Sequence, residues 1–156
     1  MIEAQVSEHY LRFFIPSKLN EIKCSAQILN NMHKALPWIL RIVPAVILLQ
    51  TLPFKFLGKQ ESVDLFTTLT TKALGNGELE ALARIGSGVV ELTAAILLLI
   101  PKFTHKGALL TAATMAGALG SHVLFLGFEG MAGQLAGMAV VALIFSIILI
   151  VKKPAA

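Results

Sequence analysis

Four long apolar runs divide this chain: Pro37–Leu57 (PWILRIVPAVILLQTLPFKFL), Leu82–Pro101 (LARIGSGVVELTAAILLLIP), Gly107–Phe128 (GALLTAATMAGALGSHVLFLGF) and Ala132–Val151 (AGQLAGMAVVALIFSIILIV). A helix rising about 1.5 Å per residue needs about 20 residues to cross a hydrocarbon core, and each run supplies that length. None alternates apolar and polar positions in the ten-residue segments of a membrane strand. In hydrocarbon the backbone must satisfy its own hydrogen bonds, so the pattern predicts an all-α integral membrane four-helix transmembrane bundle over residues 37–151. A tail of residues 1–36 precedes it and a short tail, residues 152–156, follows.

The connectors are unequal. The stretch from Gly58 to Ala81 is the only long one, and it mixes charge with an apolar set, Val63, Leu65, Phe66 and Leu69. It closes on Gly75-Asn76-Gly77, a turn signal. Two readings stand for it: a short interfacial helix over Gln60–Leu74, or a solvated loop. Residues 17–36 place Leu19, Ile22, Ala26, Leu29 and Leu36 at helical intervals. That spacing fits an amphipathic helix lying on the cytoplasmic leaflet, with a disordered tail as the alternative. Residues 1–36 carry Glu3, Glu8, Arg12, Lys18, Glu21, Lys23 and Lys34 without the apolar centre of a secretory signal. Met32-His33-Lys34 also resembles a natural start just ahead of the first span, which would make residues 1–31 dispensable for insertion.

Composition agrees with a membrane solvent. Apolar residues make up 56% and charged residues 14% of the 156, against about 25% charged in a soluble domain. The net charge of +4 does not argue for nucleic acid, because the basic residues sit between apolar runs. Their distribution instead sets orientation. Arg12, Lys18, Lys23, Lys34, Lys102, Lys106, Lys152 and Lys153 fall on one side, and only Lys59 and Lys72 on the other, clear of the spans. Both termini are therefore expected in the cytoplasm. The single cysteine, Cys24, rules out an internal disulfide, a CxxC pair or a cysteine-based zinc cluster, and reads as an unreactive thiol. An electron-transfer role would need a bound cofactor or a partner.

Small residues recur in the last two spans: Ala113, Gly117 and Ser121, then Ala112, Ala116 and Gly120, and a GxxxG at Gly133 and Gly137. Such spacing lets backbones approach. Packing within the chain is the expectation, and a homodimer seam the alternative.

Ionisable groups inside a span are expensive and mark functional candidates. Arg41 and Lys55 lie near opposite ends of the first span, where either can extend to the headgroups. Arg84 lies near the outer end of the second. Glu91 is seven residues deeper on nearly the same face, about 10 Å along the axis and too far for a direct pair. Glu91 must be protonated or paired across helices, with Lys55, Arg84 and His122 as the candidates on depth. Gln50 and His122 fall at similar depth in the first and third spans. Gln50, Lys55, Arg84, Glu91 and His122 thus outline either an outward-facing binding pocket or a polar network that pins the helices. A haem with two histidine ligands is not supported, because His9, His33 and His105 lie outside the spans. Pro44 and Pro53 are expected to bend the first helix.

The segments LLQTLPFKFLGKQESVDLF (48–66), ARIGSGVVELTAAILLLIP (83–101) and GALLTAATMAGALGSHVLFLG (107–127) resemble the DoxX / DoxX-like family of small four-helix bacterial membrane proteins, over about residues 38–150. The resemblance implies a multi-pass protein of the bacterial cytoplasmic (inner) membrane. It also implies an accessory or quinone-contacting subunit of a redox system, with quinone as the cofactor to look for and a soluble or membrane oxidoreductase subunit as partner. It carries no agreed catalytic motif. The sequence has no nucleotide loop, metal cluster or nucleophile–base arrangement either, so catalysis by this chain alone is not expected. A small-molecule transporter using the same pocket and a structural or assembly factor are the competing classes.

The orientation is directly testable. A reporter fused after Ala156 should be active only in the cytoplasm; activity on the far side would overturn the even number of spans or their direction.

Overall fold

The computed structural model describes the backbone of residues 2–152. Side chains are described from Ile39 onward except Met131, and before that at positions 23, 25, 27–29, 31, 32 and 35–38. Five α-helices follow one another: α1 (Ile2–Phe56), α2 (Gln60–Leu74), α3 (Glu80–Leu99), α4 (Thr104–Ser121) and α5 (Gly130–Val151). One-turn 3₁₀ segments, Gly77–Leu79 and Pro101–Phe103, lead into α3 and α4, and a π-helical turn, His122–Leu126, extends α4. There is no strand among the described residues. The protein is all-α, with four helical stretches long and apolar enough to cross a membrane: Ala35–Phe56, Gly77–Leu99, Pro101–Leu126 and Ala132–Val151.

The chain divides into residues 1–38 and 39–156. Within the first unit the backbone is helical through residues 17–36. Leu29 and Leu36 are exposed, while the side chains of Leu19, Ile22, Cys24 and Ala26 lie outside the described residues, so the expected amphipathic face and the thiol are not assessed. The C-terminal tail beyond Lys152 also lies outside them.

In the second unit the long polar connector is ordered as α2, the helical one of the two expectations. Gly58 (φ 61°) and Gly75 (φ 70°) bracket it in the left-handed region that only glycine adopts without strain. Asn76 starts the next turn, its side-chain oxygen accepting from the Glu78 amide at 2.8 Å. α2 buries Phe66 and Thr70 against the bundle. At its far end Lys72 Nζ donates to the Phe125 carbonyl at 2.8 Å, tying α2 to the π turn. Gly127 (φ 77°) then ends that turn, its amide donating to the His122 carbonyl at 2.8 Å. The third helical stretch therefore stops at Leu126, two residues before the sequence suggested.

The bundle is small inside and large outside. Ala45 and Leu48 of α1, Ala94, Ala95 and Leu98 of α3, Ala108 and Met115 of α4, and Ala139 and Ala142 of α5 form one core. Ile96, Leu109, Ile144 and Ile147 point outward. Lipid tails are as apolar as leucine, so nothing drives large side chains inward, and close backbone approach through small ones yields the packing. The tightest approach between helices at a glycine is at Gly107, where a Cβ would meet the Leu98 amide nitrogen at 2.5 Å and the Leu97 carbonyl carbon at 2.7 Å.

The glycines of the expected small-residue stripes behave differently. Gly117, Gly120 and Gly137 have nothing within 4 Å of a would-be Cβ, and Gly133 faces only the Phe128 carbonyl of its own turn. Gly117, Gly120 and Gly137 therefore do not bring one helix backbone against another, contrary to the expectation from spacing. α3 meets α4 at Gly107 instead, while Ala113, Ala116 and Gly117 are exposed and Ser121 lines the cavity described below.

Gly107→Ala should lower thermal stability in detergent by about 1–3 kcal/mol, the usual cost of overpacking, whereas Gly117→Ala should stay within about 0.5 kcal/mol of wild type. Equal effects of the two would contradict this packing.

Candidate functional site

The site begins where α1 stops. Gly88 of α3 faces the end of α1, and a Cβ there would lie 3.2 Å from the Phe56 ring and 3.7 Å from Lys55 Cβ. Because Gly88 has no side chain, Lys55 sits level with it, one helical turn from Glu91. Lys55 Nζ therefore turns along α3 and pairs with Glu91 Oε1 at 2.6 Å, the two side chains being 12% and 8% exposed. Lys55 does not extend to the headgroups as its position near a helix end allowed. Of the three partners that depth offered Glu91, Lys55 makes the contact. The other carboxylate oxygen, Oε2, lies 3.0 Å from the Thr51 hydroxyl, which is also 2.8 Å from the Leu48 carbonyl and donates its one proton to either. From α2, the Phe66 ring covers the ammonium with its centroid 5.5 Å from Nζ, a cation–π contact.

Arg84 serves the neighbouring turn. Its Nε donates to Glu80 Oε1 at 2.5 Å and its Nη1 donates to the Lys55 carbonyl. The last carbonyls of a helix lack intrahelical donors and carry the negative end of its dipole, so a guanidinium there satisfies both. Arg84 is buried without touching Glu91, as their seven-residue separation requires. It fixes the end of α1, and with it the base of the Lys55 side chain.

His122 enters from α4, at the first position of the π turn, and is 5% exposed. Its Nδ1 lies 3.2 Å from the Gly127 carbonyl, and its ring stacks near Phe128 at 6.2 Å between centroids. Gln50 Nε2 reaches Met138 Sδ of α5 at 2.6 Å. Turns of this kind are rare and recur at functional sites.

These groups surround one cavity of about 480 Å³, within the range of about 300–1,000 Å³ usual for small-molecule sites. Gln50, Lys55, Glu91 and His122 line it, and Arg84 does not. The rest of the wall is mainly apolar, including Phe54, Leu65, Phe66 and Leu135. α2 thus contributes a wall that the sequence left open. Thr51, Phe66 and Met138 were not among the site residues that the sequence suggested. Thr51 had a signal: it lies four residues before Lys55 and therefore on the same helix face. Among the described residues no three His, Cys, Asp or Glu side chains are grouped to hold a metal ion.

No family model, no curated protein and no solved structure matches this chain.

Removing one partner of a buried pair costs about 3–5 kcal/mol. Glu91→Gln and Lys55→Met should each lower thermal stability in detergent accordingly, and the double variant should recover part of the loss. Strictly additive losses would show that the two side chains are not coupled.

Proposed function

We propose that this chain is a membrane-embedded binding subunit whose cavity holds an apolar molecule with a small polar head, a quinone first among candidates. In this reading it serves a redox partner and performs no reaction alone. The cavity carries the reading: mainly apolar walls, with a few polar groups gathered at Lys55, Glu91 and His122, are what an apolar molecule with one polar end requires. Its size suits such a molecule. Pairing leaves the ammonium and carboxylate mutually neutralised, so the site does not demand a charged ligand. The resemblance of residues 48–66, 83–101 and 107–127 to the DoxX-like family supports the redox context and a bacterial inner membrane, and the excess of Lys and Arg on one side of the spans supports both termini in the cytoplasm.

A carrier is the second reading, and α2 favours it. This wall of the cavity runs between two left-handed glycines, Gly58 and Gly75, and its far end is tied by the exposed Lys72–Phe125 hydrogen bond. A segment so bracketed has the hinges that alternate access would use.

One preparation separates the two. Protein purified in mild detergent should retain quinone detectable by mass spectrometry and co-purify an oxidoreductase subunit, and Glu91→Gln should reduce the retained quinone severalfold. Absence of quinone, together with solute uptake by proteoliposomes of the pure protein, would replace the first reading with the second.

A further inference from the structure

The hydrogen-bonding valences left open around the cavity specify the head of the molecule it takes. A carbonyl oxygen only accepts, so the contact between His122 Nδ1 and the Gly127 carbonyl requires the imidazole proton to be on Nδ1. That leaves Nε2 as a lone-pair acceptor. Among the described residues no hydrogen bond is made by Nε2, and in a residue only 5% exposed it is the ring nitrogen left to face the cavity that His122 lines. The turn holds this tautomer in place: the Gly127 amide donates to the His122 carbonyl at 2.8 Å, so residue 127 is fixed against residue 122 through both its polar groups. Across the cavity the carboxylate is engaged by the Lys55 ammonium at Oε1 and lies within reach of the Thr51 hydroxyl at Oε2. Lys55 spends one of its three N–H donors on Glu91. Beside the ion pair, the neutral acceptor left open is His122 Nε2 and the open donors are those of Lys55; Gln50, Glu61 and Gln134 also line the cavity but are exposed.

We infer that the cavity selects an apolar molecule whose head bears a hydroxyl, a phenol or a quinol, with the O–H donating to His122 Nε2. This rests on the cavity being a site for apolar molecules, and it adds the polarity of the head. A ketone or an ether can accept from Lys55 but offers His122 nothing, and on displacing water from the cavity leaves that acceptor unpaired. Applied to quinones, the site favours the reduced, hydroxyl-bearing form over the oxidised one. No electron transfer is implied; the preference is one of binding.

The test uses the full-length protein in detergent and two ligand pairs, each corrected for partition into protein-free micelles. The first pair is a 4-alkylphenol and its methyl ether. The second is a short-chain quinol, kept anaerobic, and its quinone. Wild type should bind the hydroxyl-bearing member of each pair on the order of tenfold more tightly, the worth of a hydrogen bond to a buried acceptor. His122→Phe should bring phenol binding down to that of the ether and leave the ether nearly unchanged, while His122→Gln, which keeps an acceptor oxygen, should retain part of the preference. Equal affinities within both pairs in wild type would overturn the inference and leave the binding-site reading intact. A preference that persists in His122→Phe would also overturn it. If none of the four molecules binds, the reading of the cavity itself fails. Should His122→Phe not fold, the wild-type ratios decide alone.

Discussion

A carboxylate within a hydrocarbon span must find a partner, and the organisation of this bundle follows from how Glu91 finds one. Its partner is not on its own helix but on α1, which constrains the end of α1 to lie against α3. Gly88 makes that approach possible by having no side chain, and Arg84 secures it by binding the Lys55 carbonyl. The pair does not by itself make the protein more stable than an apolar pair would, because desolvating two charges offsets much of their attraction. What it adds is specificity. Only one register of α1 against α3 brings the ammonium to the carboxylate.

That register has a structural consequence. α1 stops level with Gly88, eight residues beyond the start of α3, so about 12 Å of α3 extends past it. α2 lies against this stretch, turning its Phe66 toward the Lys55 ammonium. The cavity is the space left between an early-ending helix, the segment α2, and the π turn of α4. Elsewhere the core closes on Ala94, Ala95, Ala108 and Ala142 with Leu48 and Leu98. The polar residues and the cavity thus coincide because one ion pair sets the position of the elements that line it.

Much of the fold was legible from hydropathy because the bilayer allows few solutions. Four apolar runs of spanning length imply four helices, and the helical stretches match them, the second beginning five residues and the third six residues before its apolar run because helical structure continues through Gly77–Ala81 and Pro101–Lys106. Depth alone gathered Gln50, Lys55, Arg84, Glu91 and His122 in the outer half of the bundle, and all of them but Arg84 line one cavity. Rotation about the helix axes was not legible. Arg84 shares a face with Glu91, yet its guanidinium is taken by Glu80 and the end of α1. The stripes around Gly117 and Gly137 had the spacing of a packing seam, but spacing does not say which face meets a neighbour, and the backbone contact falls at Gly107. The wall formed by α2 was hidden for a third reason: its apolar residues are too few to signal anything but a surface helix or a loop.

The most direct test of this account is the charge on Glu91 within the assembled bundle. Infrared difference spectra between wild type and Glu91→Gln report it, because a protonated carboxylic acid and a carboxylate absorb in separate regions. The account predicts that the substitution removes carboxylate bands and leaves the protonated-acid region unchanged. Loss of a protonated-acid band would contradict it, showing a neutral Glu91 that needs no ammonium and removing the constraint from which the position of α1 was derived.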